Sequence, residues 1–195
     1  MKNITVLVSG GGTNLQSLID AQNTGTVRSG KIGLVISSKP DAYAVSRAKK
    51  HGIPVKTIDK KALGMQEFTG RLLEILREEN PDLIVLAGFL VVLSEEVTSA
   101  YPNKIINVHP SLLPKFSGKG YYGLKVHQAV IESGEKVTGA TVHYVNEVCD
   151  GGAVILQKEV PVLNGDTAEI LQKRVMEQAE QVILPEAVEK LTSEN

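Results

Sequence analysis

The sequence predicts an α/β fold: an open, mostly parallel twisted sheet with helices on both faces and antiparallel strands near the C-terminal end. Three observations lead there. Short, continuously apolar runs alternate with helix-period segments up to residue 108, the pattern of strands covered on both faces. The connections are long enough for crossover helices. Two strand-like runs, 138–145 and 154–162, then follow each other with no helix between them.

Ile4-Thr5-Val6-Leu7-Val8 is the first strand. A helix begins near Asn14 and sets Leu15, Leu18 and Ile19 on one face. Residues 32–36 form the second strand, and 42–51 a helix closed by Gly52 with Pro54 beyond. A short strand at 55–58 precedes a strongly amphipathic helix over 65–79, stopped by Asn80-Pro81. Residues 83–87 are the fourth strand. Ser94 is positioned to cap a short helix reaching Tyr101, and 104–108 is the fifth strand. Residues 114–123, with a proline, a serine, two tyrosines and several glycines, have the composition of a mobile loop. A helix over 124–132 ends at Ser133-Gly134. Asp166-Thr167-Ala168-Glu169 resembles a capping box with Asp in the Ser/Thr place, and Pro185 should bend or interrupt the last helix.

With 195 residues, the chain is expected to form one domain, 1–195, with a substantial core. Its net charge of -1 argues against a nucleic-acid or membrane surface driven by bulk electrostatics. One cysteine, Cys149, rules out an internal disulfide and suits a reducing, cytoplasmic setting. As a nucleophile Cys149 lacks a neighbour that would obviously lower its pKa. The N-terminus runs straight into a strand without the pattern of a signal peptide, and no apolar run approaches bilayer length.

The chemistry concentrates in Asn107-Val108-His109-Pro110-Ser111-Leu112-Leu113-Pro114. Asn107 and His109 are two apart on a strand and leave by the same face. An amide there can donate to a developing oxyanion, and an imidazole can move a proton. Downstream, Asp150-Gly151-Gly152 supplies a carboxylate that could reach His109 if both strands end on the same side of the sheet. A carboxylate beside an imidazole holds it in one tautomer and favours its protonated form.

Two further loops belong at the carboxyl rim of such a sheet. Ser9-Gly10-Gly11-Gly12-Thr13-Asn14 leads into a helix N-terminus, where backbone N–H groups can receive a phosphate. It is neither a Walker loop nor a dinucleotide fingerprint. It suits a phosphomonoester, and read alone it is equally a structural tight turn. Ala87-Gly88-Phe89-Leu90-Val91-Val92-Leu93 could line a slot for a flat heterocycle or simply be core.

The whole chain resembles the phosphoribosylglycinamide formyltransferases, folate-dependent enzymes of purine synthesis with a Rossmann-like formyltransferase fold. The matching elements are the Ser9–Asn14 loop, Ala87-Gly88-Phe89, Ile106 to Pro114, Thr138-Gly139-Ala140-Thr141-Val142-His143 and Asp150-Gly151-Gly152, in the family's order. The segment His109 to Pro114 is shared with other formyl-folate enzymes; the N-terminal loop and the short length narrow the match. The resemblance implies direct attack of the glycinamide ribonucleotide amine on the formyl group of 10-formyltetrahydrofolate. It assigns catalysis to Asn107, His109 and Asp150, and the phosphate and ribose to Gly12, Thr13, Asn14 and Glu180. Folate falls to Leu90, Val91, Val92 and Leu93, to Asn146, Glu147, Val148, Cys149 and Asp150, and to Asn107. It implies no metal, no nucleic-acid or membrane partner, and a monomer or homodimer. The chain departs from the family at Val91, where Arg is common, around Met65, where an Arg near the folate tail is replaced, and in the loop 115–123. The spacing from Arg174 to Pro185 is also one residue longer than the family's. A tRNA-formylating relative, a formyl-folate hydrolase and a non-catalytic nucleotide-binding module are the rival readings.

Overall fold

A computed structural model describes residues 1–194; Asn195, the last residue of the expected domain, lies outside them. One seven-stranded sheet runs in the order β3-β2-β1-β4-β5-β6-β7. Its strands are β1 (Lys2–Val8), β2 (Gly30–Ser37), β3 (Val55–Thr57), β4 (Leu83–Leu86), β5 (Ile105–His109), β6 (Val137–Tyr144) and β7 (Val154–Pro161). The first five pair in parallel; β6 is antiparallel to β5, and β7 to β6. This is the expected topology.

Helices α1 (Thr13–Thr24), α2 (Tyr43–Lys50), α3 (Lys60–Glu79), α4 (Glu95–Ala100), α5 (Leu124–Glu132), α6 (Ala168–Val175) and α7 (Gln181–Ser193) complete the fold. Two apolar clusters record the two faces. On one, Val6, Val8, Val85, Ile106 and Val108 pack against Leu15 and Leu18 of α1 and Ile183 and Leu184 of α7. On the other, Leu7, Ile36, Ile84, Leu86 and Ile105 pack against Phe68, Leu72 and Leu76 of α3 and Val97 of α4. Neighbouring strand residues thus feed opposite cores, which is why the strands read as unbroken apolar runs. Full burial of each large side chain contributes about 2 kcal/mol.

The structure alters several local expectations. The helix expected over 65–79 begins at Lys60, because Asp59 accepts from the backbone N–H groups of Lys61 and Ala62. Gly64, at φ 75° and ψ 178°, separates that opening turn from the amphipathic body. In the proposed capping box, Thr167 rather than Asp166 is the N-cap, accepting from the Ile170 N–H. Asp166 instead forms a bidentate pair with Arg174. Ser94 occupies the N-cap position of α4 without a side-chain capping bond. The interruption of the last helix is a π turn, Met176–Glu180, upstream of Pro185, which lies buried within α7. A π turn accommodates an extra residue within a helix, and this one falls between Arg174 and Pro185.

Candidate active site

Asn107 and His109 alternate with Ile106 and Val108 along β5 and therefore share the face that carries Ile105. Across the ladder, Asn107 is paired with His143 and His109 with Thr141. Asp150 arrives by an unexpected route. β5 and β6 do not end on the same side, because Tyr144 of β6 pairs with Ile106 near the start of β5. The 145–153 connection instead folds back over the sheet, with Asp150 in the left-handed region at φ 55°. Its carboxylate lies between two imidazoles: Oδ2 is 3.6 Å from His109 Nδ1, and Oδ1 is 3.7 Å from His143 Nε2. All three catalytic candidates are thus brought together, and His143 joins them.

His143 is buried, and burial holds its ring below the usual imidazole range, outweighing the Tyr144 carbonyl and Asp150. Its Nδ1 lies 2.8 Å from the Tyr144 carbonyl, which can only accept, so Nδ1 carries the proton. Nε2 is then an acceptor and receives Asn107 Nδ2 at 3.1 Å. That bond orients the amide and leaves its second N–H free. With that lone pair taken, the 3.7 Å gap to Asp150 Oδ1 leaves the carboxylate oxygen as the acceptor on that side.

Part of the expected mobile loop closes over this group. His109 Nε2 lies 2.9 Å from the Phe116 carbonyl, and the Gly118 N–H donates to Asp150 Oδ2 at 2.9 Å. The buried Ser111 hydroxyl donates to the Lys115 carbonyl at 2.6 Å.

The glycine loop behaves as a cradle. Gly12 is the N-cap of α1 at φ 72°, and no side chain caps that end. A Cβ on Gly12 would stand 2.7 Å from the Ala44 Cβ, so the close approach of α2 demands glycine here. The first N–H groups of α1 can therefore serve an anion. Asn14 Nδ2 donates to Glu180 Oε2 at 2.7 Å, while Asn14 Oδ1 is buried without a partner. Such an orphan acceptor suits a hydroxyl-bearing ligand. Burial pushes the Glu180 carboxyl up, against the opposing Asn14 amide. Arg47 flanks the loop, its Nε donating to the Gly11 carbonyl at 2.8 Å.

The 87–93 segment splits its residues. Phe89, Val91 and Leu93 pack on the core, while Leu90 and Val92 are exposed. The Leu90 N–H is taken by the buried Ser9 hydroxyl at 2.9 Å, and Ser9 in turn meets Ser38 at 2.6 Å. The Leu90 N–H is thus engaged within the protein. Asn146 is half-buried, with Oδ1 accepting from the Val148 N–H. Glu147, Val148 and Cys149 are exposed, and Val148 adds apolar surface. Burial, then Asp150, pushes the Cys149 thiol up, away from nucleophile chemistry.

Sequence reasoning missed His143, Ser9 and the backbone of Phe116 and Gly118. His143 lay in a recognised motif, but its meeting with Asn107 depends on strand register. Ser9 and Gly118 act through contacts far apart in sequence, and the Phe116 carbonyl reaches His109 only through the fold of the loop between them.

The family model described as Formyl transferase matches residues 2–188. Phosphoribosylglycinamide formyltransferase of Haemophilus influenzae is 45% identical over 186 residues, covering 93% of this chain and 84% of that protein. The enzyme of the same name from Escherichia coli is 41% identical, covering 94% of this chain and 84% of its own. The crystal structure of glycinamide ribonucleotide transformylase 1 from Symbiobacterium toebii superposes with a TM-score of 0.90 at 40% identity, covering 98% of this chain and 88% of that one.

Proposed function

The chain belongs to the formyl transferase family, and we propose that it transfers the formyl group of 10-formyltetrahydrofolate to the amine of N1-(5-phosphoribosyl)glycinamide in purine biosynthesis. One observation carries this reading. Asn107, His109, His143 and Asp150 converge on one sheet face, with neighbouring separations of 3.1–3.7 Å.

In this scheme the uncapped start of α1, at Gly12, Thr13 and Asn14, binds the phosphate, and Asn14 with Glu180 binds the ribose hydroxyls. Val91 to Leu93 hold the pterin edge by backbone groups, beside Leu90, Asn146, Glu147, Val148 and Cys149. The amine nitrogen attacks the formyl carbon. The carbonyl oxygen becomes an oxyanion that takes the free N–H of Asn107 and the Nδ1–H of protonated His109; one such donor is worth about 3 kcal/mol. Asp150, across the gap it shares with His143, receives the proton shed by the amine, through water. His109 passes its proton to folate N10, and the carbon–N10 bond breaks to release neutral tetrahydrofolate and the formylated amide. The nucleophile is the substrate amine, so the scheme has no covalent enzyme intermediate and calls on no metal. The reaction is read as cytoplasmic, carried out by a monomer or homodimer on two small molecules.

Mixing the protein with glycinamide ribonucleotide and a 10-formyl folate, and following loss of formyl-folate absorbance, tests the proposal. Turnover requiring the ribonucleotide supports it. Turnover that ignores the ribonucleotide identifies a hydrolase, and formylation of charged tRNA alone identifies the tRNA-modifying activity. Tight nucleotide binding without turnover identifies a binding module.

A further inference from the structure

We propose that the strap 115–118 is a positioning part of the catalytic apparatus, its backbone dictating which nitrogen of His109 exchanges the proton. The inference rests on the reading of His109 as the proton-transferring residue. Its starting point is the 2.9 Å contact between His109 Nε2 and the Phe116 carbonyl. A carbonyl oxygen has no proton to give, so Nε2 carries one in both the neutral and the charged ring. The proton that comes and goes is therefore on Nδ1, the nitrogen facing Asp150 Oδ2 at 3.6 Å.

The strap also holds the other member of the pair. Two residues on, the Gly118 N–H donates to that same Oδ2 at 2.9 Å. Its carbonyl fixes the far nitrogen of the imidazole, and its N–H fixes the near oxygen of the carboxylate. His109 is 4% exposed, and the Asp150 side chain 10%. Solvent is thus poorly placed to substitute for either bond.

The strap needs an anchor, because Phe116 sits at φ 52°, a left-handed backbone that a side-chain-bearing residue rarely adopts unaided. Ser111 supplies it. Its fully buried hydroxyl reaches the Lys115 carbonyl at 2.6 Å and the Phe116 carbonyl at 3.4 Å. The Ser111 carbonyl is itself held by the Thr141 hydroxyl at 2.7 Å, on β6 opposite His109. The Phe116 ring packs on the core and meets Tyr121 edge-on, with centroids 6.4 Å apart. Ser111 is accordingly a positioning residue that acts on His109 through the Phe116 carbonyl. A loop that merely covers the site would need no bond to Nε2 and no anchoring hydroxyl.

The experiment combines nitrogen-15 NMR of the full-length chain with steady-state kinetics of wild type and Ser111→Ala. His109→Asn identifies the His109 signals by their disappearance. In wild type, neutral His109 should carry its proton on Nε2, and that proton should exchange with water far more slowly than that of the exposed His51. In Ser111→Ala the protection should be lost. kcat should fall between about tenfold and about a hundredfold, with KM for the ribonucleotide within about twofold. The inference is overturned if neutral wild-type His109 is protonated on Nδ1, if its Nε2 proton exchanges as fast as that of His51, or if Ser111→Ala keeps both protection and kcat. Should Ser111→Ala fail to fold, the wild-type spectrum alone decides. If no formyl transfer is detected, the proposed function fails, while the spectrum still reports whether the strap fixes the ring.

Discussion

Asn107 and His143 face each other across the β5–β6 ladder, with the amide Nδ2 3.1 Å from the ring Nε2. The ring is itself pinned by the Tyr144 carbonyl. The orientation of the amide is thus set by a neutral imidazole that burial keeps uncharged. Substituting His143→Leu retains bulk and removes the acceptor. Its kcat should fall by about tenfold to a hundredfold, with ribonucleotide affinity nearly unchanged. Unaltered kcat in steady-state assays would remove His143 from the oxyanion site.

His109→Ala and Asp150→Asn should each lower the chemical rate by about a hundredfold or more, since each removes a proton-handling group. Ribonucleotide binding should survive, because the cradle lies on α1. Single-turnover rates measure the first effect and titration calorimetry the second. A variant that retains wild-type kcat loses its assigned role.

His127 provides a stability test independent of catalysis. Both ring nitrogens are buried without a partner. Burial, with His109 as the smaller cause, lowers its pKa from 6.5 to about 4. Between those values the unfolded chain binds a proton that the native protein refuses. Stability therefore declines as pH falls from 6.5 toward 4, by about 3 kcal/mol in all. His127→Leu should flatten the pH dependence of urea unfolding across that window. Parallel curves for the two proteins would refute the assignment.

Glu180 should titrate in the opposite sense. Burial raises its carboxyl above the ordinary 4.5, so the native state retains a proton that the unfolded chain has already shed. Its contribution to stability is present at low pH and lost as pH rises from 4.5 through the raised native value. Glu180→Gln should accordingly stabilise the free protein at neutral pH, visible as a higher Tm. The same change should weaken ribonucleotide binding about tenfold by removing a charged acceptor. Unchanged calorimetric affinity would separate Glu180 from the ribose.

The central strands β1, β2, β4 and β5 were legible because they are covered on both faces, and a short run such as 83–87, apolar at every position, suits a strand buried from both sides. The Asn107–His109 pair followed from strand period alone. Asp150 was identified, but its path was not: antiparallel β6 ends beside Ile106, and only the returning 145–153 connection delivers the acid. His143 needed the register of two strands separated by a helix and a loop. The Ser9 hydroxyl spans 81 residues to the Leu90 N–H. No local pattern encodes a bond of that separation.

The π turn at Met176–Glu180 has a consequence for how this helical stretch tolerates change. A helix that stores a surplus residue as one widened coil need not export the insertion to its ends. Arg174 keeps its fork on Asp166, and Glu180 keeps its contact with Asn14. The widened coil thus sits between two anchored points, the Arg174–Asp166 pair before it and the Glu180–Asn14 contact at its end.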